Sequence, residues 1–225
     1  MKAHSGMQII PVGDHSYRLE DFSFDGLWGR RYVVFDFEGT GPNEATANVT
    51  QIGAILVDDS GPRDDVSFAS YVNPGQPIPA LIESLTGVTN ELVQSAPSFP
   101  DVYERFRDFC GEAPLVTQCG YEYDFPLMDN ECRSHQLAIL PNARLDTKAV
   151  FALLHPEKDS TFSTNFLSDY YRIDRTPFRR HDALGDAKLI GRIYWAELLE
   201  ARKSGIDSLA VKNPVVIKKS KLPPA

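Results

Sequence analysis

The stretch RYVVFDFEGTGP, Arg31 to Pro42, restricts what this chain can fold into more than any other. Arg31–Phe37 is a β-branched and aromatic run, closed by the breakers Gly39, Gly41 and Pro42, and it predicts a buried strand. At the carboxyl end of that strand stand two acids, Asp36 and Glu38. Side chains alternate along a strand, so both acids face one side of the sheet, about 7 Å apart. Two anions against a buried sheet are costly unless something neutralises them. Hard oxygen ligands of this kind suit a divalent cation such as Mg²⁺ or Mn²⁺. The glycines that follow let a ligand approach the backbone, at the sheet edge where open α/β folds bind their ligands.

The rest of the chain supplies a sheet for that strand to join. Thr50–Asp59 and Val66–Val72 read as second and third strands, ended by Ser60-Gly61-Pro62 and Asn73-Pro74-Gly75, which together predict an antiparallel meander. Short helices are predicted from Ile78 and Thr89. A longer helix follows Ser98, with Pro100 in its first turn and Gly111 at its end. Pro114–Gln118 and Ala143–Thr147 read as further strands. Helices are expected from Tyr123 to Gln136, over KAVFALLH, over Phe162–Tyr171 and over Asp182–Lys203. Three strands followed by alternating helices and strands predict one α/β domain over residues 31–204, with a mixed five-stranded sheet flanked by helices. Residues 1–30 lack periodicity and read as an N-terminal extension, with a short strand near Met7–Val12. Residues 205–225 read as a mobile basic tail.

Composition narrows the function classes. The net charge of −8 speaks against a broad basic saddle for duplex, and suits a small contact such as a chain end held through metal ions. Three cysteines without a CxxC pair speak against a disulfide framework or zinc site. No apolar run is long enough for a membrane span or a signal peptide, and a cytoplasmic location is the expectation.

A second acidic site lies late in the chain, in RRHDALGDAKLIGRIYWAELL. Asp182 is the natural N-cap of the last helix. Asp186 falls beside the apolar stripe and needs a partner, which a metal shared with Asp36 would supply. His181 precedes the helix, where it can take a proton near neutral pH. Arg172, Arg175, Arg179 and Arg180 form a basic stretch that offers phosphate contacts, and Lys212, Lys218, Lys219 and Lys221 offer weaker nonspecific attraction. FDFEGT also resembles the first motif of haloacid-dehalogenase phosphatases. In those enzymes the second acid is Asp, and a late acidic pair on a Gly-rich loop is required; LGDAK has one Asp in a helical pattern.

The combined pattern resembles the DEDDh (DnaQ-like) exonucleases of the RNase H-like superfamily, which include the proofreading subunit of bacterial DNA polymerase III, RNase T and oligoribonuclease. FDFEGTG is similar to their first motif, LIESLTGVTNELVQSAPSFPDVYERF to the connecting segment, YEYDFPLM to the second motif, LDTKAVF to the strand before the third, and HDALGDA to the third. Gly39 stands where the first motif usually has Thr or Ala, and Cys119-Gly120 where the second usually has His-Asn. The resemblance implies a 3′→5′ exonuclease acting on single-stranded DNA or RNA. It implies Asp36, Glu38, Asp124 and Asp186 as ligands of two Mg²⁺ or Mn²⁺ ions, and His181 as general base. Phe37, Gly39, Thr40 and Arg180 are the expected substrate contacts, and a DNA polymerase or a second copy of the chain the expected protein partner. An inactive binding module of the same fold would lack at least one of the carboxylates, and none is missing.

Overall fold

The computed structural model describes residues 8–211 and 214–220. Three short strands come first: β1 (Gln8–Pro11), β2 (Ser16–Glu20) and β3 (Ser23–Asp25). The meander follows as β4 (Tyr32–Gly39), β5 (Val49–Asp58) and β6 (Gly61–Tyr71). Next come α1 (Ala80–Thr86), α2 (Asn90–Gln94), α3 (Phe99–Cys110), β7 (Leu115–Thr117), α4 (Asp124–Ser134), β8 (Arg144–Asp146), α5 (Thr147–Leu154) and α6 (Thr164–Tyr170). The long α7 (Ala183–Lys203) and the strands β9 (Ser208–Ala210) and β10 (Val215–Lys218) complete the described chain.

The central sheet has the order β6-β5-β4-β7-β8, antiparallel across β6, β5 and β4 and parallel across β4, β7 and β8. It is the mixed five-stranded sheet that the sequence predicts. Its two faces are made by alternation. Phe35 and Phe37 point to one side, where their rings meet Phe106 of α3, and Phe35 also meets Phe125 of α4. Asp36 and Glu38 point to the other side, towards α7. Asp36 lies across from Gly53 on β5, and a Cβ at Gly53 would overlap the backbone of Ala183 and Leu184. Absence of a side chain at that one position lets the start of α7 settle on the sheet beside the acids. β6 begins at Gly61, five residues before the predicted start, because Asp59-Ser60 make a tight hairpin turn instead of a loop. Pro62 is tolerated there because β6 is an edge strand.

The two chain ends depart from expectation. β1, β2 and β10 form a separate antiparallel sheet, and β3 pairs with β9. Tyr17, Leu19, Phe22, Phe24 and Leu27 are buried in the main core together with Leu209 and Ile217. The described parts of residues 1–30 are therefore packed into the fold instead of extending from it, and the segments 208–210 and 215–218 are strands, not a mobile tail. Lys218 is paired with Asp159 at 2.8 Å. Met7, Lys212 and Lys221 lie outside the described residues.

Candidate active site

The acids of β4 open into a pocket of about 190 Å³, lined by Asp36, Glu38, Asp124, Arg180, His181 and Asp186, with Ile82, Leu85 and Thr86 of α1 on one wall. All five predicted catalytic residues line this pocket. They arrive from the end of β4, the first turn of α4, the turn before α7 and the first turn of α7.

Asp124 and Asp186 are held by the local structure. The Asp124 carboxylate accepts from the Phe37 N–H at 3.0 Å and from the Thr117 hydroxyl at 3.1 Å. Asp186 accepts from the backbone N–H of His181 at 2.7 Å, and His181 has a left-handed backbone, φ +56°, that turns this N–H towards it. Asp182 caps α7 through the Gly185 N–H at 3.0 Å, as its sequence position predicts. Gln51, a buried amide in the largely apolar β5, donates to the Asp182 carboxylate at 3.0 Å and accepts from the Ala183 N–H at 3.1 Å. Gln51 and Thr117 are positioning residues that the motifs did not reveal. The signal for both is a polar side chain in a strand that is otherwise buried.

Among the described residues, one group of potential ligands converges most closely. Ligand atoms of Glu38, His181 and Asp186 lie within 4.8 Å of one another. Oxygens around one octahedral ion lie about 3–4 Å apart, so small side-chain movements would close this group on a cation. Asp36 and Asp124 line the same pocket but are not members of that closest group.

Electrostatics report the same crowding. Burial pushes the Asp36 carboxyl well above its ordinary range, reinforced by Asp186, Asp124 and Glu38. Burial pushes Glu38 up to about 8, with Asp186 and Asp124 adding to the shift. Asp124 rises to about 7, chiefly by burial and against its hydrogen bonds from Phe37 and Thr117. Asp186 is also raised by burial, and Arg180 opposes the shift. His181 is lowered, again by burial, which keeps its ring neutral near pH 7. Four acids that resist ionisation beside one arginine are a site with too little positive charge. The donor set, carboxylate oxygens and one imidazole, fits a hard divalent ion.

The expected substrate contacts divide. Gly39 and Arg180 line the pocket. Phe37 reaches it only through its backbone, since its ring packs on the opposite face of the sheet. Thr40 does not line it: its hydroxyl accepts from the Asn48 N–H at 3.0 Å and from Gln76 Nε2 at 2.8 Å. Among the other arginines, Arg175 pairs with Asp169 at 3.1 Å, and Arg179 reaches back to the Thr86 carbonyl.

The departures at Cys119 and Gly120 have a structural setting. A Cβ at Gly120 would overlap Thr117 and crowd Phe125. Cys119 has φ +61° and lines the pocket. Its loop is pinned by buried Asp146, which accepts from the N–H groups of Cys119 and Tyr121, both at 3.2 Å. Fully buried Lys148 pairs with Glu122 and donates to the Lys218 carbonyl at 2.9 Å, while Ser220 N–H donates to Glu122 at 2.8 Å. The end of the described chain thus clamps the loop that leads into Asp124 at the start of α4.

A mixed sheet of this order, with a carboxylate-lined pocket at the end of its central strand, defines an RNase H-like nuclease. The sequence model of the RNase T exonuclease family matches residues 33–194, and the chain belongs to that family of DnaQ-like exonucleases. It is 31% identical over 206 residues to the PolC-type DNA polymerase III of Lacticaseibacillus paracasei, covering 90% of this chain and 14% of that protein. A PolC-type polymerase of Caldanaerobacter subterraneus is 27% identical, over 97% of this chain and 15% of its own length. The chain therefore spans about a seventh of these relatives. Among solved structures, the nuclease domain of 3′hExo, a DEDDh family member bound to rAMP, superposes with a TM-score of 0.67 at 20% identity, covering 85% of this chain and 97% of that one. Exonuclease X in complex with 5′ overhanging duplex DNA gives a TM-score of 0.59 at 18% identity, over 78% and 92%. Exonucleases of the DEDDh type depend on divalent metal. Family and fold leave the phosphatase alternative without support, and no helix among the described residues is long and apolar enough to cross a membrane.

Proposed function

We propose that this chain removes nucleotides one at a time from the 3′ end of single-stranded DNA or RNA, releasing nucleoside 5′-monophosphates. Asp36, Glu38, Asp124 and Asp186 are its ligands for two Mg²⁺ or Mn²⁺ ions, and His181 is its general base. The observation that carries this reading is the meeting of these five side chains, from distant parts of the chain, in one pocket. When bound, such ions supply neutralisation of the carboxylates and polarisation of the scissile phosphate. The protein's own part is arrangement and proton transfer. Asp124 is fixed by two hydrogen bonds, so it needs little reorganisation to act. The neutral ring of His181 accepts the proton of the attacking water. Ile82 and Leu85 give one wall an apolar surface suited to a base. The PolC-type relatives favour a polymerase as protein partner over a second copy of the chain.

The test uses 5′-labelled single-stranded DNA and RNA with Mg²⁺ or Mn²⁺. Product ladders that shorten from the 3′ end are expected, lost with EDTA and in Asp36→Ala or Asp186→Ala. His181→Ala should slow release by about 10²–10⁴. Unchanged degradation by the Asp186 variant would contradict the assignment.

A further inference from the structure

Arg180 lies against Asp186 in a way that differs from an ordinary structural ion pair. Its Nη1 is 2.9 Å from Asp186 Oδ1. Yet both atoms are buried and neither makes a hydrogen bond, so the pair is close without being aligned. Arg192 and Asp64 show the alternative, a two-pronged pair with both contacts at 2.6 Å in hydrogen-bond geometry. The partners of Arg180 are also unequal. Asp186 is almost wholly enclosed, with 7% of its side chain exposed, whereas Arg180 keeps 36% and lines the mouth of the pocket. Asp186 is held from behind by the His181 N–H, so the guanidinium is the movable member. The oxygen it touches belongs to the same carboxylate that converges with Glu38 and His181.

We propose that Arg180 is a resident counter-charge of the metal site. It neutralises Asp186 until a divalent ion arrives, competes with that ion for the carboxylate, and once displaced turns to the phosphate of the incoming chain end. The inference rests on the reading of Asp186 as a metal ligand. The physical argument is one of number and geometry. A single guanidinium faces four crowded carboxylates, and it contacts only one of them directly. A divalent ion placed among Glu38, His181 and Asp186 binds the carboxylate that Arg180 now touches, and two cations on one carboxylate repel each other. Without an aligned hydrogen bond to hold it, the guanidinium yields. Its planar fork suits a phosphate better than this one-point contact. Arg180 is on this account a positioning residue that links metal occupancy to substrate capture.

The competition predicts an uncommon result: loss of a charged side chain that lines the proposed metal site should improve metal binding. Mn²⁺ binding to the full chain, without nucleic acid, can be followed by electron paramagnetic resonance or titration calorimetry. Arg180→Gln is expected to bind the first Mn²⁺ about tenfold more tightly than wild type, and Arg180→Lys to lie near wild type because the competing charge remains. Oligonucleotide KM should rise about tenfold in Arg180→Gln with a smaller change in kcat. Circular dichroism confirms that each variant is folded, and an unfolded Gln variant is replaced by Arg180→Met. Equal or weaker Mn²⁺ binding by a folded uncharged variant overturns the inference alone. Absence of Mn²⁺ binding by the wild-type protein overturns both the inference and the metal reading beneath it.

Discussion

A methyl group on Gly39 would overlap the Tyr123 hydroxyl, which donates to the Gly41 carbonyl at 2.7 Å. Glycine is thus required at the end of β4 by a neighbour, not by backbone strain. Gly39→Ala should destabilise the protein by about 1–3 kcal/mol, through overpacking and the strained hydrogen bond. Tyr123→Phe in the same background should recover part of that loss, because the atom in the way is gone. Denaturant melts of the single and double variants test the coupling, and additive costs would show that the two residues do not meet. Asp36 and Glu38 were legible at this scale, since carboxylates in an apolar strand are conspicuous, whereas Asp124 came only from the resemblance of its segment to a family motif. The roles of Gly39, Gln51 and Thr117 were not, because each depends on an atom supplied by a distant segment. The setting of Thr40 was hidden for the same reason: its partners Asn48 and Gln76 are invisible from the motif that contains it.

At the scale of elements, β4, β5, β7 and β8 are long apolar runs or short runs between clear breakers, and their positions follow from local sequence, whereas the polar first half of β6 hid its true start. The strands at the chain ends are different. β2 carries alternating buried residues over only five positions, and its partner β10 comes from the far end of the chain. No local signal announces such a pairing. Its consequence is that residues 215–220 support the site, through the Lys148 and Glu122 contacts to Lys218 and Ser220. Deletion of residues 215–225 should leave the buried Lys148 ammonium with Glu122 as its main partner and expose the Tyr17 and Leu19 face. A loss of at least about 3 kcal/mol is expected by chemical denaturation. Unchanged stability would restore the picture of a mobile tail.

For the molecule as a whole, the acid cluster sets the response to pH. Asp36, Glu38, Asp124 and Asp186 all titrate above the ordinary carboxylate range in the folded protein, Asp124 near 7 and Glu38 near 8. Raised folded values mean that the native state holds protons which the unfolded chain releases above about pH 4. Stability from this source is complete below that pH and is lost as pH rises through 7 to 8. Thermal melts in EDTA should therefore show a lower Tm at pH 8 than at pH 5.5. Mn²⁺ should raise Tm more at pH 8, where it meets ionised ligands and binds only the folded state. A Tm in EDTA that climbs from pH 5.5 to 8 would contradict the crowding. The net charge of −8 belongs to the same picture, since an acidic chain that handles a polyanion must bring its positive charge as bound metal and a few arginines.

The central claim is that these carboxylates share divalent ions, and anomalous diffraction from crystals equilibrated with Mn²⁺ tests it most directly. The account predicts manganese peaks within coordination distance of Asp36, Glu38, Asp124 and Asp186, with the Arg180 guanidinium moved off Asp186. Ordered side chains at saturating Mn²⁺ with no peak among them would contradict it.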